Sequence, residues 1–134
     1  MANINDIKRI GIIAGAGSLP KHVYDECKQR KLDCFVVGIE GQVFSELFQG
    51  VEEFAIIPLY SITKILKAFH SRGIEHLVLA GKVSRCSIPK LLTDFKGAAL
   101  LAKLMKNGLN DNAILTTVLQ FLEGEGFIIV GSEK

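Results

Sequence analysis

Ile10-Gly11-Ile12-Ile13-Ala14-Gly15-Ala16-Gly17-Ser18-Leu19-Pro20 decides the fold. Its first half is an apolar run with paired isoleucines, the pattern of a strand covered on both faces. It breaks into Gly15-Ala16-Gly17-Ser18. From there Leu19, Val23 and Cys27 recur at four-residue spacing, which predicts a helix from Leu19 to Arg30. Strand, glycine turn and helix open a βαβ unit, and the turn falls beyond the carboxyl end of the strand, where open parallel sheets bind ligands. Glycines there let the backbone take positive φ and come close to a phosphate, and the unpaired N–H groups of a helix start point at the anion.

The dinucleotide-binding fingerprint has glycine at the third position of G-x-G-x-x-G, where this chain has Pro20. Proline is comfortable in a first helical turn because its missing N–H would have no partner there anyway. Glu40 follows a second strand about 20 residues on, where a ribose-binding acid is expected. The alternative is that Gly15 and Gly17 only make a tight turn.

Outward from this stretch the alternation continues. Strands are predicted near residues 9–14, 33–38, 53–57, 75–80 and 127–130. A short helix is expected at Ser45 to Phe48, and a longer one from Ile62 to Ser71, capped by Ser61 and stopped at Gly73. Phe95 to Lys106 carries Ala98, Leu101, Ala102 and Met105 on one stripe, and a last helix runs from about Asp111 to Glu123. Strands alternating with helices call for a parallel sheet with right-handed crossovers. The fold class is α/β: a mainly parallel sheet of about five strands with helices on both faces.

The 134 residues make one domain, 1–134, able to bury a single sizeable core. The hydrophobic share of 49% fits a covered sheet, yet no apolar run approaches the roughly 18 residues of a membrane span. The polar start from Met1 to Lys8 does not read as a secretory leader. A net charge of +2 with interspersed signs gives no electrostatic case for nucleic acid. Cys27, Cys34 and Cys86 are unclustered in sequence and lack metal-ligand spacing, so a reduced cytoplasmic compartment is expected.

A second stretch with chemical content leaves the fourth strand: Ala80-Gly81-Lys82-Val83-Ser84-Arg85. Two cations and a hydroxyl beside a glycine turn make an anion site, with Arg85 able to grip a phosphate through two parallel hydrogen bonds. A solvated basic loop is the alternative, and a shared sheet edge with Gly15 to Leu19 favours function. Asn110-Asp111-Asn112 opens the last helix. Asn110 or Asp111 is the natural N-cap, and Asp111 with Asn112 could instead bind a polar ligand or its metal. His22 lies near the glycine turn, while His70 and His76 read as surface or packing residues. No set of general acid, base and nucleophile is visible, so no catalytic residue and no metal ligand is assigned to this chain.

The combination of Ile12 to Pro20, Ala80 to Arg85 and Asn110-Asp111-Asn112-Ala113-Ile114-Leu115 resembles the amino-terminal domain of the LpxI family, over essentially the whole chain. Departures from the family pattern are Cys86 after Arg85, Asn112 in place of a second aspartate, and Tyr60-Ser61 after the third strand. The resemblance implies a Rossmann-like fold and half of a lipid A pathway enzyme. That enzyme hydrolyses UDP-2,3-diacylglucosamine to UMP and 2,3-diacylglucosamine 1-phosphate with a divalent metal, magnesium being the expected one. It also implies that the catalytic carboxy-terminal domain is absent from this chain, which alone is expected to be inactive. The residues expected to hold substrate are Gly15, Ala16, Gly17, Ser18, Leu19, Gly81, Lys82, Ser84, Arg85, Asp111 and Asn112. Expected partners are the UDP-linked lipid or its phosphate product, that second domain, a second copy of the chain, and the inner-membrane surface through the lipid. Two other classes compete: a dinucleotide-binding module or small oxidoreductase using Gly15, Gly17 and Glu40, and a non-enzymatic assembly or regulatory domain.

Overall fold

The computed structural model describes residues 8–82 and 88–130. Five strands form one sheet: β1 (Arg9–Ala14), β2 (Asp33–Ile39), β3 (Phe54–Ile57), β4 (His76–Ala80) and β5 (Ile128–Ile129). All pairings are parallel, in the order β3-β2-β1-β4-β5. The decisive stretch is the central strand. It runs beside β2 from Arg9↔Asp33 to Ala14↔Gly38, and beside β4 from Gly11↔Leu77 to Ala14↔Ala80. Among the described residues the helices are α1 (Leu19–Gln29), α2 (Ile62–His70), α3 (Ile88–Leu91), α4 (Phe95–Asn107) and α5 (Asp111–Gly124), with a short 3-10 turn at Ser45–Phe48.

Side chains alternate across a strand, so the sheet builds a core on each face. Ile10, Ile12, Ala14, Cys34, Val36 and Val78 point toward α1, which contributes Cys27, Val23 and Tyr24. Phe35, Val37, Ile39 and Leu77 point the other way, onto Leu66 and Phe69 of α2, Leu100 of α4, and Phe121 and Leu122 of α5. The centre of this second core is Phe69, fully buried, with its ring edge-on to Phe35 at 5.6 Å and to Phe127 at 6.2 Å. Phe69 reaches the sheet because position 11 has no side chain: a Cβ on Gly11 would lie 2.5 Å from Phe69 Cε1.

Three details differ from the sequence reading. The buried positions of α4 are Gly97 and Leu100, with Leu101 and Leu104 packed against the core, whereas Ala102 and Met105 are exposed. Both sides of α4 are apolar, so periodicity did not choose between them; Gly97 turns its bare backbone to Leu91 and sets the rotation. Cys27 and Cys34, far from a metal spacing in sequence, meet under the end of α1. The Cys34 thiol donates to Leu32 O at 3.5 Å, and its contact with the Cys27 sulfur holds the Cys27 pKa below the usual thiol value, while the same contact and burial push Cys34 up.

Ser61 precedes α2 as expected, but at φ −92 and ψ 64 its hydroxyl makes no capping bond. Asp94 takes that role from 31 residues away. Its Oδ2 accepts from Thr63 N at 3.0 Å, from Thr63 Oγ1 at 3.0 Å and from Gly97 N at 2.8 Å. One carboxylate thus caps α2 and α4 together and favours both positive helix ends. Asp94→Ala should cost about 2–3 kcal/mol, since each lost cap is worth roughly 1 kcal/mol and the donors are partly buried. Thermal unfolding should show the loss, and Asp94→Asn, which keeps an acceptor oxygen, should recover part of it.

Candidate functional site

The turns that leave β1 and β4 are joined at the carboxyl edge. Gly15 N donates to Ala80 O at 2.8 Å, Ala16 N to Lys82 O at 2.8 Å, and Lys82 N to Ala16 O at 3.1 Å. The last two bonds form an antiparallel bridge between Ala16 and Lys82, beyond strands that are themselves parallel. Gly81 makes this possible. Its φ is +89, and a Cβ there would lie 2.7 Å from the Ala16 carbonyl oxygen and 2.9 Å from both Gly15 C and Pro20 Cγ. Pro20 is fully buried, so the ring that replaces the third glycine of a dinucleotide turn packs against the β4 exit.

The bridge divides the glycine stretch into two parts. Gly15 and Ala16 have their N–H groups committed to β4 and act as scaffold. Gly17, at φ +101, turns the chain outward, and Ser18 stands before α1 with no side-chain cap. Among the described residues no acceptor takes the N–H of Gly17, Ser18 or Leu19. The first turn of α1 carries no acid. Ser18 and Leu19 are exposed, Gly17 is half-buried, and the exposed Lys82 is fixed beside them by its own backbone. The outcome is a rigid, positive rim of open amides at a helix start with one lysine, suited to an anion. Ser84 and Arg85, expected to complete it, lie outside the described residues.

Asn110 is the N-cap of α5: its Oδ1 accepts from Ala113 N at 2.9 Å, which explains that residue without a ligand. Asn112 lines an open cleft of about 530 Å³ together with Asn107, Asn110, Thr116, Thr117 and Gln120. Its walls come from the α4–α5 hairpin, with none from the β1 or β4 turns, so Asn112 and the glycine turn do not share a pocket. Asp111 begins α5. Sequence reasoning missed a second cleft, of about 650 Å³, at the amino edge of the sheet. There Arg72 lies 3.9 Å over the Phe35 ring and pairs with Glu53 at 2.8 Å, and Arg9 pairs with Asp33 at 3.8 Å. These four charges answer one another, Lys28 also lines the cleft, and only the scatter of single charges around the strand starts hinted at it. Among the described residues no three His, Cys, Asp or Glu side chains come together to hold a metal ion, so these residues do not fit a divalent cation by themselves.

Comparison with known proteins agrees with this architecture. The profile of the LpxI N-terminal domain family matches residues 9–134. The UDP-2,3-diacylglucosamine pyrophosphatase LpxI of Caulobacter vibrioides is 29% identical over 133 residues, covering 96% of this chain and 45% of the relative. The chain therefore spans under half the length of that relative. Among solved structures, the Bordetella bronchiseptica enzyme WbmG in complex with NAD superposes with a TM-score of 0.55 at 14% identity, over 93% of this chain and 52% of that one. The enzyme WbmH of the same organism, in complex with NAD+, gives 0.55 at 9% identity, over 93% and 55%. At such identities these two likenesses establish the Rossmann-type fold alone.

Proposed function

This chain belongs to the LpxI N-terminal domain family, and on that premise we propose that it is the substrate-binding half of a UDP-2,3-diacylglucosamine pyrophosphatase of lipid A synthesis. The reading is carried by the laced turns, which set the open amides of Gly17, Ser18 and Leu19 beside Lys82 at the edge where parallel sheets take ligands. In this role the amides and Lys82, joined by Ser84 and Arg85, grip the pyrophosphate of UDP-2,3-diacylglucosamine and draw off its negative charge. Asp111 and Asn112 contact a more distant part of the substrate. Charge stabilisation of this kind lowers only part of a hydrolytic barrier. The attacking water, its base and a divalent metal, magnesium being the one we expect, are assigned to residues beyond those described. Release of UMP and 2,3-diacylglucosamine 1-phosphate then requires a carboxy-terminal domain as partner.

The diacylated substrate would bring the domain to the cytoplasmic face of the inner membrane, and a second copy of the chain is a further expected partner. No helix among the described residues is long and apolar enough to cross a membrane. The test is titration of the 134-residue chain with a UDP-sugar. Lys82→Ala and Arg85→Ala should each weaken binding about tenfold to hundredfold, the worth of a charged hydrogen bond, and shift the melting temperature little. The chain alone should not turn over the UDP-lipid at an enzyme-like rate. Unchanged affinity in both variants would remove the clamp, and turnover by the isolated chain would show that the catalytic set is present in it. Tight NAD binding would favour a dinucleotide module, and no nucleotide binding at all would favour an assembly domain.

A further inference from the structure

The exit of β2, next to the glycine turn, is a part of the carboxyl edge that the anion clamp leaves unused. β2 flanks β1 on the side away from β4, so the β2 exit and Lys82 stand on opposite sides of the glycine turn. Ala14 pairs with Gly38, and Glu40 lies two residues past Gly38, as Ala16 lies two past Ala14. The backbone of this exit is pinned: Glu40 N donates to Ile57 O, and Gln42 N and Val43 N both donate to Ile39 O, each at 3.0 Å. The Glu40 side chain is exposed, and among the described residues its carboxylate has no ion pair. Phe44, four residues on, is 45% exposed, whereas Phe48 of the same loop is buried and stacks on Phe54 at 4.9 Å.

A carboxylate accepts hydrogen bonds and repels phosphate, so beside an anion clamp its complement is a pair of hydroxyls rather than the anion itself. A vicinal diol offers two O–H donors to its two oxygens. An exposed ring offers a face on which a base can stack. We propose that Glu40 and Phe44 form the nucleoside subsite: Glu40 accepts from the 2′ and 3′ hydroxyls of the uridine ribose, and Phe44 packs against the base. The nucleotide half of the substrate then lies over β2, and the acylated sugar half extends past Lys82 on the β4 side. This assignment rests on the pyrophosphatase reading above and fixes the direction in which the substrate lies across the edge.

The experiment is calorimetric titration of the 134-residue chain with three probes: UDP, 2′-deoxy-UDP and inorganic pyrophosphate. The unaltered chain should bind UDP about tenfold more tightly than 2′-deoxy-UDP, as expected when a charged acceptor loses its donor. Glu40→Ala should erase that preference while leaving pyrophosphate affinity equal or higher. Phe44→Ala should weaken UDP about fivefold or more and leave pyrophosphate unchanged. Melting temperatures of both variants should stay close to that of the parent, because both side chains are exposed. Equal affinity for UDP and 2′-deoxy-UDP, or a preference that survives Glu40→Ala, would overturn the subsite. The clamp would still stand if pyrophosphate binding continued to depend on Lys82. Failure of all three probes to bind would overturn the clamp and the subsite together.

Discussion

Gly81→Ala is expected to lower stability by about 4 kcal/mol and to disable anion binding as well. Two effects act together. A non-glycine residue at φ +89 carries roughly 1–2 kcal/mol of backbone strain. The new methyl must also stand 2.7 Å from the Ala16 carbonyl oxygen and 2.9 Å from Gly15 C, which are backbone atoms and cannot swing aside. Relief requires separating the β4 exit from the β1 turn, and that breaks the bonds between Ala16 and Lys82. Thermal unfolding should show a drop of about 10 °C or more for a chain of this size. A melting temperature within a degree or two of the parent would mean that the two turns are not held together as described.

Gly11→Ala is the second large effect, and its sign runs against local preference. Alanine in a strand interior is normally better than glycine by about 0.5–1 kcal/mol. At position 11 the Cβ would lie 2.5 and 2.6 Å from two atoms of the Phe69 ring and 2.7 Å from Leu77 Cδ2. Neither neighbour has room to retreat, since Phe69 and Leu77 are fully buried and Phe69 is wedged between Phe35 and Phe127. Overpacking should win by about 3 kcal/mol net. Phe69→Leu alone should also destabilise, but combined with Gly11→Ala it should restore part of the loss. A coupling of about 1–2 kcal/mol in the double-mutant cycle is expected for residues in such contact. Simple additivity of the two changes would show that Gly11 is not the seat of Phe69.

The five strands were legible because the central ones are covered on both faces, so Ile10 to Ala14, Cys34 to Ile39 and Leu77 to Ala80 read as unbroken apolar runs. Alternation with helices then placed the glycine turn and Lys82 at one sheet edge, where the structure links Lys82 to Ala16. Contacts between distant residues left no local trace. Asp94 caps α2 across 31 residues, and Cys27 meets Cys34 only because α1 folds back onto β2. The four residues of α3 are too few to show a period, and α4 is apolar on both sides. Within the candidate site the two glycine turns were readable, but not the division of labour between Gly15 and Ala16, whose amides are occupied, and Gly17 to Leu19, whose amides are open. That division is set by Gly81, a partner 65 residues from Ala16 in the chain.

Fixing the backbone of a free loop on ligand arrival costs about 1–2 kcal/mol per residue in lost conformational entropy. The turns at Ala16 and Lys82 already hold each other through two backbone hydrogen bonds and have little such freedom left to lose. An anion meeting this rim should therefore bind with a small entropic penalty and without the loop ordering that a closing lid would show. The two bridged turns are equally unsuited to act as a gate. Held this way, the two bridged turns form a platform on which an anion settles rather than a part that moves over it.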